Sequence, residues 1–188
     1  MTSRAKQFLF RASVVALLMV TGCGSASAKG KVAAPRSGAE KITVPATPPV
    51  TYAFQSIDIM RPFTSEAMRG KPTVIVFMNI DDLNSQAQVN FLREMDKRDN
   101  GAVNYAFVAI EAPGRKQFVE WYRAGLQFTG FAAVADADEV KRSPFAPIVG
   151  VPTIVVLDAE GRIVLAHEGL VQGPELRARV LEQLTARR

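Results

Sequence analysis

Three largely apolar segments, rich in β-branched and aromatic residues, constrain the fold of this chain more than any other feature of its sequence. They cover residues 73–78, 103–110 and 153–157. Apolar segments of this length predict strands that are covered by other elements on both faces. Any fold for this chain must therefore place these strands in a sheet between two layers.

Helical spacing and turn residues predict the elements around these strands. Apolar residues recur every four positions from Leu83 to Met95, and Asn100-Gly101 ends this predicted helix. The other predicted elements are a strand over 52–59, a helix over 115–124 that stops at Gly125, a strand over 131–135, a polar loop with a helical turn over 136–145, a hairpin turn at 158–161 into a strand over 162–168, and a last helix opened by Pro174. This order predicts an α/β domain with one sheet between helices.

The net charge of +5 is carried by the first part of the chain. Residues 1–22 contain three basic residues and no acidic one, and residues 23–49 contain four basic residues and one acidic one. Residues 50–188 are close to neutral, with 16 basic and 17 acidic residues. Binding to nucleic acid requires a basic surface on the folded domain. We therefore expect no nucleic-acid partner.

The N-terminal segment resembles the signal peptide of bacterial lipoproteins, which predicts a signal peptide over residues 1–22. Three basic residues precede an apolar stretch over 14–20 that is too short to span a membrane. Val20-Thr21-Gly22-Cys23 follows and resembles a lipobox, in which Cys23 accepts the lipid. Two alternatives stay open here. One is cleavage at Ala26-Ser27-Ala28, which releases a soluble periplasmic protein, and the other is a cytoplasmic chain with an incidental cysteine.

The lipobox predicts a protein in the bacterial cell envelope, attached to the membrane through Cys23 and facing the periplasm. By resemblance to enterobacterial lipoproteins, Gly24 after the cysteine favours the outer membrane. Residues 23–49 are predicted to be the acylated N-terminus and a disordered linker, because they are rich in Gly, Ser, Ala and Pro and contain no aromatic residue. The folded domain is accordingly predicted at 50–188.

Two segments of this domain carry a family resemblance. Gly70-Lys71-Pro72, followed by the apolar run to Phe77, resembles the segment that leads into the active site of thioredoxin-like redoxins, which are thiol-disulfide oxidoreductases. Gly150-Val151-Pro152-Thr153, followed by the 158–164 turn and strand, resembles a later segment of the same family. The resemblance implies a thioredoxin-like fold over 50–188, with a central mixed sheet flanked by helices.

The redox motif of that family, two cysteines separated by two residues at a helix start, is absent from this chain. Asp82 and Ser85 occupy the positions of the two cysteines. Neither side chain can exchange a disulfide, and Cys23, the one cysteine, is acylated or cut away under both envelope interpretations. We therefore predict no dithiol or peroxidatic catalysis. One cysteine and one histidine also predict no metal centre and no cofactor.

Asp81 and Asp82 stand where the helix after the first buried strand is predicted to begin. One of Asp81, Asp82 or Asn84 is expected to cap this helix, because a carboxylate or amide there accepts hydrogen bonds from free backbone N–H groups. The alternative is a carboxylate that acts as a general base or metal ligand. Three other candidates are predicted to pack rather than to bind: Trp121, Tyr122 and His167.

Pro152 is a feature of the resembled family that this chain retains. In the family the peptide bond before this proline is cis, and the preceding residue pairs with an extended substrate. Asp81, Asp82, Val151 and Pro152 are therefore predicted to line a binding groove. The functional prediction is an envelope lipoprotein whose redox-inactive domain binds a protein or extended peptide, or serves as a scaffold. The alternatives are an oxidoreductase-family member with a degenerate site, and an enzyme that uses Asp81 or Asp82 in non-thiol chemistry.

Overall fold

A seven-stranded sheet and five helices make up residues 48–185, the part of the chain that the computed structural model describes. The strands are β1 (Ala53–Ser56), β2 (Phe63–Thr64), β3 (Thr73–Met78), β4 (Asn104–Ile110), β5 (Phe131–Ala135), β6 (Thr153–Leu157) and β7 (Ile163–Glu168). The helices are α1 (Ser65–Met68), α2 (Leu83–Asp99), α3 (Lys116–Leu126), α4 (Ala137–Arg142) and α5 (Gly173–Thr185). The predicted signal peptide, Cys23 and the predicted linker up to residue 47 lie outside the described residues.

The sheet is mixed, with a parallel centre and antiparallel edges. Its strand order is β2-β1-β5-β4-β3-β6-β7. Strands β3, β4 and β5 run parallel to one another, whereas β1 pairs antiparallel with β5, and β6 antiparallel with β3. The carboxyl ends of β3 and β4 therefore lie at the same edge of the sheet as the amino end of β6. The candidate site is at this edge.

Side chains along the central strands alternate between two cores on opposite faces of the sheet. On β3, Val74, Val76 and Met78 contribute to the core that also contains buried residues of α2, α3 and α5. Ile75 and Phe77 contribute to the second core, together with residues of α1 and α4. All six residues of β3 and all five of β6 are buried. The predicted α/β architecture, a central mixed sheet flanked by helices, is confirmed.

Segment 136–145, predicted as a loop with a helical turn, contains the regular helix α4. The Asp136 carboxylate accepts a hydrogen bond from the Glu139 N–H at 2.7 Å, and the Glu139 carboxylate accepts one from the Asp136 N–H at 3.3 Å. This reciprocal capping box satisfies N–H groups at the start of the helix. The predicted helical turn is thus present, and the structure extends it to the six residues of α4, because the spacing of these two acidic residues allows the cap.

The bounds of β1 and α3 also differ from the prediction. Strand β1 ends at Ser56, whose hydroxyl oxygen lies 2.8 and 2.7 Å from the carbonyl oxygens of Asp58 and Arg61, so the chain turns before residue 59. Helix α3 passes through Gly125 and ends at Leu126. The left-handed backbone that closes it belongs to Gln127, with φ of 54°.

Two of the three residues predicted to pack are exposed. Tyr122 is half-buried, with its ring edge-on to Phe107 at 6.1 Å between centroids. Trp121, its neighbour on α3, is 59% exposed. His167 is exposed because β7 is the last strand of the sheet. Only Tyr122 therefore has the predicted packing role.

Candidate functional site

The predicted groove residues lie in two loops at one edge of the sheet. Asp81 and Asp82 follow the end of β3 and precede α2. Val151 and Pro152 precede β6, and the antiparallel register pairs Phe77 with Thr153. Thr153 is the first residue of β6, and its partner Phe77 is the last but one residue of β3. The Val151–Pro152 turn before β6 therefore lies at the same edge of the sheet as the loop after β3, which contains Asp81 and Asp82.

Asp82 is the residue that caps α2. Its carboxylate accepts a hydrogen bond from the Ser85 N–H at 2.7 Å, and its carbonyl oxygen accepts one from the Gln86 N–H at 3.0 Å. A carboxylate at this position also interacts favourably with the positive end of the helix dipole. The Ser85 side chain is fully buried, and its hydroxyl accepts a hydrogen bond from the Asn79 N–H at 3.4 Å. Asp82 and Ser85 thus both form structural hydrogen bonds at the start of α2.

Asp81 belongs to an ionic network with two residues that the sequence analysis did not single out. The same Arg115 nitrogen lies 2.7 Å from an Asp81 carboxylate oxygen and 3.2 Å from a Glu111 carboxylate oxygen. The Glu111 side chain is only 1% exposed, and it accepts a hydrogen bond from the Ile80 N–H at 3.0 Å. Glu111 directly follows the buried strand β4, so its place at the carboxyl edge of a central strand was the signal that could have identified it.

The network affects what Asp81 can do chemically. The hydrogen bond from the Arg115 guanidinium lowers the pKa of the Asp81 carboxyl below its ordinary value, although burial acts in the opposite direction. A carboxylate with a lowered pKa is a weak proton acceptor at neutral pH. Since the Asp82 carboxylate is engaged by the helix N-terminus, neither aspartate is arranged as a general base.

The turn before β6 is held by hydrogen bonds at Gly150 and Pro152, whereas the backbone groups of Val151 between them are unpaired. The Thr153 hydroxyl donates a hydrogen bond to the Gly150 carbonyl oxygen at 2.7 Å, and the Pro152 carbonyl oxygen accepts one from the Gly169 N–H at 2.7 Å. The Val151–Pro152 peptide bond is cis. Within residues 48–185, neither the N–H nor the carbonyl of Val151 has a hydrogen-bond partner. This half-buried residue thus offers one donor and one acceptor.

Large apolar side chains are exposed in the segments that form this edge. Leu83, the first residue of α2, is 78% exposed, and Val149, two residues before Val151, is 79% exposed. Farther along, the Arg115 guanidinium lies 5.5 Å from the centre of the Phe118 ring, and Phe118 contacts Trp121 edge-on at 5.5 Å. A surface with both apolar side chains and free backbone groups is suited to binding a polypeptide.

The described residues show neither a metal site nor a membrane span. Between residues 48 and 185, no three His, Cys, Asp or Glu side chains are placed to hold a metal ion. The same part of the chain has no helix that is long and apolar enough to cross a bilayer.

The strand order, the two helix-covered faces and the strand–helix junction beside the proline turn define a thioredoxin-like fold, as the sequence resemblance implies. Solved structures with this fold match the chain over most of their length. A thiol:disulfide interchange protein of the thioredoxin family from Chlorobium tepidum is 17% identical, with a TM-score of 0.64 over 75% of this chain and 98% of that one.

Two further structures are similar in the same way. A DsbF homologue from Corynebacterium diphtheriae is 13% identical, with a TM-score of 0.61 over 72% of this chain and 85% of that one. A secreted Mycobacterium tuberculosis disulfide oxidoreductase, homologous to DsbE, is 16% identical, with a TM-score of 0.57 over 70% and 95% of the two chains. No protein-family model and no curated protein matches the sequence. At these identities the likeness concerns the fold.

Proposed function

We propose that this protein is a redox-inactive relative of thiol:disulfide interchange proteins that binds extended polypeptide at the Val151 turn. The observation that carries the proposal is the unpaired backbone N–H and carbonyl of Val151, in a turn held by hydrogen bonds at Gly150 and Pro152. An extended chain that pairs with these two groups gains main-chain hydrogen bonds of the kind found in strand addition. Because the turn is already held in place, little conformational entropy is lost on binding.

The fold supports a polypeptide as the partner. Thiol–disulfide exchange proceeds through a mixed disulfide, so a protein that performs it must hold its partner's chain beside the reactive sulfur. This chain retains the turn at the corresponding edge of the sheet, with Asp82 and Ser85 in structural roles. Exposed Leu83 and Val149 provide apolar contacts for the partner's side chains. Binding without exchange is the activity that these residues can support.

The proposed location is the bacterial cell envelope, with the domain facing the periplasm and anchored in the outer membrane through acylated Cys23. The lipobox at Val20-Thr21-Gly22-Cys23 supports the anchor. The M. tuberculosis protein of the same fold is secreted, which accords with a location outside the cytoplasm. A soluble periplasmic form produced by cleavage after Ala28 is the alternative.

The binding proposal predicts that Val151→Asp weakens polypeptide capture. The probe is a fluorescent, permanently unfolded polypeptide without cysteine, titrated with the full chain and followed by anisotropy. Replacing the apolar Val151 side chain with a carboxylate should weaken binding by about tenfold or more, because the charge must lose its hydration where the partner's chain docks.

Ile59→Asp is the matched control for this experiment. Ile59 is 95% exposed and follows β1, so it lies at the opposite edge of the sheet. The control should bind the polypeptide like the wild type, and both variants should keep the wild-type melting temperature. If Val151→Asp retains full affinity in a folded protein, the turn is not the binding site.

The anchor proposal predicts that Cys23→Ser moves the protein from the membrane fraction to the soluble fraction. A thioether-linked diacylglycerol with an additional N-acyl chain binds membranes far more strongly than one acyl chain, and serine cannot form the thioether. Fractionation of cells and mass spectrometry of the N-terminal peptide measure the effect, with Ser25→Ala as the control that stays in the membrane. A soluble wild-type protein that begins at Lys29 would instead establish cleavage after Ala28.

A further inference from the structure

A second concave site lies at the amino-terminal edge of the sheet, away from the Val151 turn. It is a pocket of about 290 Å³ beside the residues that begin β4 and β5, Asn104 and Phe131. Because β3, β4 and β5 are parallel, their first residues share one edge and their last residues share the other. The pocket is therefore independent of the site proposed to bind polypeptide.

Three cations line this pocket, and none of them has an acidic partner. Arg61 donates a hydrogen bond to the Thr129 carbonyl oxygen at 2.6 Å, and its guanidinium lies 4.2 Å from the centre of the Phe131 ring. Arg69 donates a hydrogen bond to the Glu160 carbonyl oxygen at 2.8 Å. Within residues 48–185, Arg61, Arg69 and Lys71 form no ion pair.

This grouping distinguishes the pocket from the rest of the described surface. Other basic side chains between residues 48 and 185 are paired with carboxylates, with the exceptions of Arg98 and Arg142. The pocket contains one carboxylate, Asp96, which accepts a hydrogen bond from the Thr129 hydroxyl. Three cations and one anion leave a net positive charge in a concave site, and concavity concentrates the potential of such charges.

We propose that this pocket binds a phosphate group carried by a small organic molecule or a lipid headgroup. Arginine guanidinium groups bind phosphate oxygens with paired hydrogen bonds, and a lysine ammonium adds a point charge. The Phe131 ring lies under the Arg61 guanidinium and supports it at the wall of the pocket. The volume is at the lower end of the range for ligand pockets, which favours a ligand of about the size of glycerol 3-phosphate.

Titration of the full chain with glycerol 3-phosphate at constant ionic strength, followed by backbone amide NMR, tests the site. Saturable shifts are expected at the pocket residues Gly101, Thr129 and Gly130. Arg61→Gln/Lys71→Gln should weaken binding by about tenfold or more, since each removes a charged contact to the phosphate. Because Arg61 also contacts Thr129, Lys71→Gln alone is measured as a second variant; Lys71 is exposed and should not affect folding.

Arg98→Gln/Arg142→Gln is the matched control, since it removes the same charge from the two other basic residues that form no ion pair between residues 48 and 185. Binding of glycerol 3-phosphate should be unchanged in this control. If both double variants bind glycerol 3-phosphate equally weakly, the effect is one of net charge and the proposal is overturned. The absence of saturable shifts at the pocket residues would also overturn it.

Binding to lipid vesicles distinguishes a lipid headgroup from a soluble phosphate ester as the ligand of the pocket. The Cys23→Ser chain, which has no acylation site, is mixed with phosphatidylglycerol vesicles and sedimented. Loss of vesicle binding only in Arg61→Gln/Lys71→Gln assigns the pocket to a lipid headgroup. Equal vesicle binding by the pocket variant and the control, with selective loss of glycerol 3-phosphate binding, assigns it to a soluble phosphate ester.

Discussion

Phe77→Ala is expected to lower the free energy of unfolding by about 3–5 kcal/mol, the cost of a cavity where a buried aromatic ring stood. Phe77 is fully buried in β3, and its ring lies 5.2 Å from that of Phe145 and 5.9 Å from that of Phe54. These contacts join β3 to β1 and to the segment after α4. Urea denaturation followed by circular dichroism measures the change.

Asp82→Ala is the comparison for this prediction. Loss of the hydrogen bond from the Ser85 N–H at 2.7 Å should cost about 0.5–2 kcal/mol, the usual effect of removing an N-cap. The ring contacts of Phe77 are thus expected to contribute clearly more to stability than the cap at Asp82. A larger loss for Asp82→Ala than for Phe77→Ala would contradict the assignment of a capping role.

Asp99→Ala is expected to cost about 2–4 kcal/mol, because it leaves two donors without their acceptor. The Asp99 carboxylate is 6% exposed and accepts hydrogen bonds from the Tyr105 hydroxyl at 2.5 Å and from the Arg177 guanidinium at 2.9 Å. It thus connects α2, β4 and α5. Burial and the bond to Asp99 raise the pKa of Tyr105 above its ordinary value, so the hydroxyl keeps its proton and remains a donor.

Asp96→Ala is the matched control, because Asp96 lies on α2 nearly one turn before Asp99. Its partner, the Thr129 hydroxyl, is exposed to solvent, and water can replace the lost hydrogen bond. The control should therefore cost about 1 kcal/mol or less. Similar losses for Asp96→Ala and Asp99→Ala in urea denaturation would show that the buried connection through Asp99 adds no stability of its own.

The sequence by itself determined the central strands and the helix that follows the first of them. The run at 73–78 and the run at 153–157 coincide with β3 and β6, and α2 ends before Asn100, as its turn residues predict. These features are local. An unbroken apolar run or a four-residue apolar repeat indicates which residues of a segment are buried, independently of which other elements pack against it. The absence of two cysteines separated by two residues could also be seen in the sequence alone, because the chain has a single cysteine.

The contacts between distant segments were decided by the tertiary structure alone. The network of Asp81, Glu111 and Arg115 joins residues that follow two different strands, and it forms because β3 and β4 pair in parallel register. The pocket that contains Arg61, Arg69 and Lys71 likewise draws its residues from several parts of the chain. Sequence periodicity specifies which face of an element is apolar, but which charged groups meet at a sheet edge depends on strand order and register, which no single segment encodes.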